Sequence, residues 1–286
     1  VDDSLWTPAL KPAQERWFDL VMVIEDAPSV AIWRETLLEW LRLVKHHGAF
    51  RDVRCWQLSS RADNSNGTAE ANSSDAKPSY QLVPAYGSCS AQSRSRSPKE
   101  LVEPGGRQLT LLISDCVSPL WQQGTIYPLL ETWSSQNSLS ILQVLPERYW
   151  SRSVLGRGRF VQFSSFVPEP QNAKLRVEGQ SSWKAPIQNL AQALKLPIVT
   201  FAPESLQQWS QVMTGNSSAA TPGIVFESPE AMMRARQTRV ASELSAEEQV
   251  NQFMKTASVP ARKLAGLIAA VPVSFPVARV IQQTMV

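Results

Sequence analysis

The stretch "LVMVIEDAPSVAIW", residues 20–33, decides the fold of this chain. It belongs to a nearly continuous apolar run over residues 18–24, which is typical of a strand buried on both faces of a parallel sheet. The run ends at two acids, Glu25 and Asp26, and the chain then turns at Pro28. The sequence therefore predicts a central strand whose acidic end lies at the carboxyl edge of the sheet, where open α/β proteins bind their ligands.

An amphipathic helix is predicted directly after this stretch. Its apolar positions recur at helical spacings of three, four and seven: Trp33, Leu37, Trp40, Leu41 and Val44. Gly48 supplies the left-handed residue that commonly ends a helix. Residues 53–58 form a second predicted strand, so the order strand, helix, strand indicates a right-handed parallel crossover.

The same alternation continues for about 200 residues. Further strands are predicted over 109–113, 139–144 and 197–201, helices over 126–133 and 204–213, and short marginal strands over 80–83, 160–163 and 175–177. This pattern predicts an α/β fold that is Rossmann-like, with a doubly wound, mainly parallel sheet.

Composition changes at two places along the chain. Residues 59–97 are rich in Ser and Asn and predict a flexible insert within an α/β domain that spans residues 1–227. Residues 228–244 predict a linker, and a capping box at residues 245–248 opens a helix-only region. A further helix predicted in this region has Ser258 as its cap and Pro260 in its first turn. We expect residues 245–286 to be a small all-helical domain that is truncated at its end.

Charge and cysteine content narrow the function classes. The net charge is +3, from 28 basic and 25 acidic residues, so no nucleic-acid partner is expected. Cys55, Cys89 and Cys116 leave one cysteine unpaired in any disulfide scheme and lack zinc-site spacing, which predicts a reducing, cytoplasmic setting. The most apolar stretch, residues 264–280, contains two prolines and an arginine, so no membrane span is predicted.

Two aspartates follow predicted central strands and resemble part of a metal site. Asp26 and Asp115 match the first and last aspartates of the von Willebrand factor A fold, whose site uses Asp-x-Ser-x-Ser after the first strand. Pro28 and Val30 stand where the serines belong, and Ser29 is out of register. The resemblance therefore implies a degenerate site with Asp26, Ser29 and Asp115 as candidate ligands. We expect no cofactor, with a Mg²⁺-dependent binding domain as an alternative.

A second constellation resembles caspase-like proteases. "HHG" at residues 46–48 and "SDC" at residues 114–116 suggest a cysteine hydrolase that uses His47 and Cys116. However, the histidines end a predicted helix, where the helix dipole and the glycine stop explain them as a cap. The chain also has no GxxxxGK[ST], GxSxG or HExxH motif, and no GxGxxG after a strand. We predict no enzymatic activity and keep the hydrolase as an alternative.

Six blocks in order resemble one bacterial family. They are "LWTPALKPAQERWFDL" (5–20), "VIEDAPSVAIWRETLLEWLRL" (23–43), "HGAFRDVR" (47–54), "LISDCVSPLW" (112–121), "QVLPERYW" (143–150) and "ASVPARKLAGLIAAVPVSFPVARVIQQTMV" (257–286). The family is the N-terminal region of large multidomain proteins of streptomycetes and cyanobacteria, named after a streptomycete locus.

This resemblance implies a module that precedes others, such as formylglycine-generating-enzyme-like or nucleotide-binding ATPase domains, in signalling or defence. It supplies no catalytic residues. The predicted function is a non-enzymatic protein-interaction or regulatory module. Its expected partner is another protein or the downstream domains of the same polypeptide.

Overall fold

The computed structural model describes most of the α/β region and part of the C-terminal region. The described residues are 16–61, 79–85, 96–103, 105–178, 190, 192–227, 247, 250–251, 254, 259–269 and 280. The predicted linker, residues 228–244, lies outside them, as do most of the predicted insert and much of the predicted helical domain.

The described strands form one sheet. They are β1 (Asp19–Glu25), β2 (Asp52–Arg61), β3 (Ser79–Pro84), β4 (Gln108–Ser114), β5 (Ser138–Gln143), β6 (Arg159–Ser164), β7 (Arg176–Glu178), β8 (Leu194–Val199) and β9 (Thr221–Phe226). Their spatial order is β3-β2-β1-β4-β5-β8-β9-β6-β7. Strands β2, β1, β4, β5 and β8 run parallel, and each remaining neighbour pair is antiparallel.

The described helices follow or connect these strands. The α-helices are α1 (Pro28–Ala31), α2 (Arg34–His47), α3 (Pro119–Gln122), α4 (Tyr127–Gln136), α5 (Pro203–Met213) and α6 (Val259–Ala269). Short 3₁₀ turns span Pro98–Leu101, Glu147–Arg152, Val154–Arg157 and Asn172–Lys174. Helix α2 ends at Gly48, whose φ of 70° is the left-handed conformation predicted for it.

Helices cover both faces of the sheet. Along β1, Leu20, Met22 and Ile24 pack on one face, together with buried side chains of α2 and α5. Val21 and Val23 pack on the opposite face, which α4 covers. This two-sided burial explains the continuous apolar run in β1. The predicted α/β class is confirmed.

The sheet is mixed, whereas the sequence predicted a mainly parallel one. Strand β9 is not among the predicted strands, because Pro222 and Gly223 resemble turn residues. It inserts between β8 and β6 and is antiparallel to both. Glycine is needed at position 223, since a Cβ there would lie 2.4 Å from Cε2 of Phe163. Close packing against Phe163 therefore favours glycine within this strand, although glycine in a sequence is usually associated with turns.

The predicted insert over residues 59–97 contains an ordered strand. β3 returns antiparallel to β2 and forms one margin of the sheet, as predicted for residues 80–83. Leu82 of β3 also forms an isolated bridge with Arg96. β2 and β3 therefore pair as the two arms of a hairpin, and residues 62–78 and 86–95 of the predicted insert lie outside the described residues.

All described residues after position 246 are helical, including α6. Pro260 lies in the first turn of α6, as predicted. The predicted cap, Ser258, lies outside the described residues. No helix within the described parts combines the length and the apolar character needed to cross a bilayer.

Candidate functional site

The candidate site lies at the carboxyl edge, where the parallel strands end. The five parallel strands lie side by side in the order β2-β1-β4-β5-β8. From β1 the chain adds β2 on one side and then β4, β5 and β8 on the other, so the strand order reverses between β1 and β4. A crevice outside the strand ends at such a reversal is the usual ligand site of open α/β sheets. Glu25 ends β1 there, and Ser114 ends β4.

A buried carboxylate occupies this position. Glu25 is only 1% exposed. Its Oε2 accepts hydrogen bonds from Ser114 Oγ and, at 3.1 Å, from Trp121 Nε1, and its Oε1 accepts one from Ser118 Oγ. Ser118 is the N-cap residue of α3, which begins at Pro119. The turn after β4 therefore brings two of the three donors onto the end of β1.

The environment of Glu25 has two opposing effects on the pKa of its carboxyl group. Burial is the largest effect and raises the pKa of its carboxyl above the ordinary value. The three hydrogen bonds oppose this increase, and the nearby Asp115 carboxylate adds to it. The net result is a raised pKa, so the protonated form of Glu25 is favoured relative to an exposed glutamate.

Asp115 and Cys116 are also withdrawn from solvent. Asp115 is 3% exposed, and its Oδ1 accepts the backbone N–H of Val117 at 3.0 Å. Cys116 has no exposed surface and a left-handed φ of 56°. Its N–H donates to Ser114 Oγ at 2.8 Å. Burial raises the pKa of the Cys116 thiol well above its ordinary value, which leaves it protonated and weakly nucleophilic.

The predicted ligands Asp26 and Ser29 lie at the same edge, but both are exposed. The backbone N–H of Asp26 donates to Leu58 O at 3.0 Å. The acid that is buried at this edge is Glu25, one residue before Asp26. The sequence marked Glu25 only as the end of an apolar run, and no motif pointed to Ser118 or Trp121.

Two hydroxyls at this edge are engaged in hydrogen bonds within the chain, whereas a Mg²⁺ ion would draw its ligands from oxygens of this kind. Such an ion needs several oxygen lone pairs in near-octahedral geometry. The hydroxyls of Ser114 and Ser118 direct their protons at Glu25, and Ser114 Oγ also accepts from the Cys116 backbone. Over the residues that the structure describes, His, Cys, Asp and Glu side chains form no group of three suited to a metal.

The structure does not bring His47 and Cys116 together. His47 is exposed at the end of α2, which leads into the first residues of β2. Those residues pair with Asp19 at the amino end of β1, so His47 lies at the amino edge of the parallel strands. Cys116 follows the carboxyl end of β4. A seven-residue strand separates these edges by roughly 20 Å. The dyad on which the hydrolase alternative depends is therefore not assembled.

Comparison with known proteins returns no similarity that assigns a function. No family model, curated protein or solved structure matches the chain. The functional interpretation therefore rests on the residues of the site itself.

Proposed function

We propose that this chain is a non-enzymatic protein-interaction or regulatory module of a larger, cytoplasmic multidomain protein in signalling or defence. Its fold in this proposal is von Willebrand A-like. Support comes from the parallel strands at the centre of the sheet and from Asp26 and Asp115, which follow β1 and β4 as that likeness requires. The proposed partner is another protein or the downstream domains of the same polypeptide.

The engagement of Glu25 carries the non-enzymatic part of the proposal. A catalytic acid or base must reach a substrate proton directly or through one water. Both carboxylate oxygens of Glu25 instead accept hydrogen bonds from Ser114, Ser118 and Trp121 of the same chain. The carboxylate thus ties the turn after β4 to the end of β1.

The buried thiol supports the same conclusion. A nucleophilic cysteine is activated by a base or by a lowered pKa. Burial raises the pKa of Cys116, and His47 lies at the opposite edge of the sheet. We therefore propose that the module works without a resident metal and without covalent chemistry.

Calorimetric titration with Mg²⁺ and Mn²⁺ tests the absence of a metal. We expect no heat of binding and no change of melting temperature in chelator. Sub-millimolar binding that Asp26→Ala or Asp115→Ala abolishes would replace this proposal with a metal-dependent von Willebrand A-type binding domain.

Cross-linking mass spectrometry on the full polypeptide tests the downstream partner. We expect cross-links from exposed lysines of this chain, such as Lys45, to downstream residues. A full polypeptide in which this chain cross-links only to itself would contradict that partner assignment.

A further inference from the structure

A cleft of about 360 Å³ opens beside β6, and neither Glu25 nor any of its three hydrogen-bond donors lines it. Its lining residues come from the 3₁₀ turn Glu147–Arg152 and from β6 and β9: Glu147, Trp150, Ser151, Phe160, Val161, Gln162, Pro222 and Gly223. We name it the Phe160 cleft. Its volume is in the range of small-ligand pockets and is sufficient for one large side chain of a partner.

Two aromatic rings form one wall of the Phe160 cleft. Trp150 and Phe160 stack with ring centroids 6.1 Å apart and an angle of 22° between their planes. Trp150 is 4% exposed, and its Nε1 donates to Leu145 O at 2.9 Å, so its ring is held in place. Phe160 is 48% exposed. The wall is therefore a supported aromatic surface open to solvent.

Arginines of this chain cover the other exposed aromatic rings that the structure describes. The guanidinium carbon lies above the ring centroid at 4.2 Å for Arg107 and Trp17, at 4.9 Å for Arg148 and Tyr149, and at 4.6 Å for Arg176 and Phe166. No arginine occupies that position over Phe160 among the described residues. The nearby Arg159 forms an ion pair with Glu227. Phe160 thus has the exposed face of a cation–π pair without the cation.

The polar rim of the cleft supplies hydrogen-bond acceptors. Within the described part of the chain, the side chains of Glu147, Ser151 and Gln162 make no hydrogen bond or ion pair. Glu147 brings a negative charge beside the aromatic wall. A carboxylate next to an aromatic face complements a planar cation, since guanidinium can stack on a ring and bond a carboxylate through its fork of N–H donors.

We propose that the Phe160 cleft binds an arginine side chain of a protein partner. The guanidinium stacks on Phe160 and donates to the carboxylate of Glu147, with the Gln162 amide oxygen as a further acceptor. This inference deepens the proposed interaction function and rests on it, because it names the chemistry that the partner presents.

The test is an NMR titration of the full chain with N-acetyl-arginine amide, with the uncharged N-acetyl-citrulline amide as the matched ligand. We expect saturating shifts of the Trp150 indole N–H, with a dissociation constant on the order of millimolar, as befits a small fragment. Citrulline should bind at least about tenfold more weakly, because it lacks the charge that Glu147 complements.

Variants locate the binding. Glu147→Gln should weaken arginine binding by about tenfold, since a hydrogen bond to a charged group is lost. Phe160→Leu, which keeps an apolar side chain but removes the ring, should also weaken it. The control is Glu39→Gln, which removes an exposed carboxylate of α2 that does not line the cleft and should leave binding unchanged. The amide spectrum of each variant reports its folding.

Four results would overturn the inference: no saturation with arginine, equal binding of citrulline, unchanged affinity in folded Glu147→Gln, or tighter binding of adenosine than of arginine. Adenosine is included because a nucleobase could stack on the same ring. Cross-links to a partner without arginine binding would reject the Phe160 cleft and leave the proposed function standing. Arginine binding without any protein partner would reject the proposed function.

Discussion

The indole Nε1 of Trp121 donates to Oε2 of Glu25 at 3.1 Å and thereby joins residues 96 positions apart in the chain. Both side chains are almost completely buried, with exposed fractions of 0% and 1%. An unpaired buried carboxylate would be costly, and this hydrogen bond is one of three that offset that cost. The pair therefore fixes α3 against the end of β1.

Removing the indole donor should measure this contact. At a pH well above the raised pKa of Glu25, Trp121→Phe should destabilise the chain by about 1 kcal/mol more than Trp133→Phe, because hydrogen bonds to a charged acceptor are stronger than those to a neutral one. Trp133 is the matched control: it is equally buried, and its Nε1 donates to the neutral carbonyl of Pro98 at 2.8 Å. Urea unfolding gives both values. An equal loss in the two variants would show that Glu25 is not a charged acceptor.

The raised pKa of Glu25 predicts a pH dependence of stability. Between the ordinary value of 4.5 and the raised value, the folded chain binds more protons than the unfolded chain. The stabilisation that the raised pKa of Glu25 contributes is therefore complete below about pH 4.5. It is lost as the pH rises through the pKa of Glu25 in the folded chain. Glu25→Gln removes the titration, so the stability difference between wild type and variant should shrink as pH rises.

Urea unfolding of both proteins across the acid-to-neutral range checks this dependence. Glu39→Gln, an exposed substitution on α2, serves as the control and should track the wild type. A stability difference for Glu25→Gln that stays constant with pH would contradict the raised pKa.

The two described cysteines should resist alkylation in the folded chain. Burial raises the pKa of Cys55 to about 12 and that of Cys116 well above its ordinary value, so few thiolates form. Near neutral pH, both should react with iodoacetamide at least about a hundredfold more slowly than in guanidinium-unfolded chain. Peptide mass spectrometry reads each site separately. Rapid labelling of native Cys116 would reopen the hydrolase alternative.

The close packing of β9 predicts a large effect of one added methyl group. Gly223→Ala places its Cβ 2.4 Å from Cε2 of Phe163 and 2.7 Å from the Leu196 carbonyl oxygen, so the backbone or the ring must shift. We expect a loss of about 1–3 kcal/mol in urea unfolding. Gly105→Ala meets only ordinary contacts with Glu103 and should stay within about 0.5 kcal/mol of wild type. A neutral Gly223→Ala would contradict the packing of β9.

Long-range neighbours explain why part of the site escaped prediction. Strand-end positions placed Asp26 and Asp115 at one edge, because parallel strands share their carboxyl ends. The donors to Glu25 lie 89 to 96 residues away, and local periodicity carries no information about such contacts. In a strand buried on both faces, apolar residues do not alternate with polar ones. The sequence of β1 therefore does not indicate which of Glu25 and Asp26 points into the core.

The sequence by itself determined the α/β class, the boundaries of most strands and helices, and the end of α2 at Gly48, because these depend on periodicity and on local backbone preferences. Only the tertiary structure decided that Glu25 is the buried acid, that β9 inserts out of chain order between β8 and β6, and that Phe160 faces an open cleft beside Glu147. The physical reason is that each of these features depends on contacts between segments far apart in the chain. Such segments become neighbours only when the strands assemble into the sheet and the helices pack on its two faces.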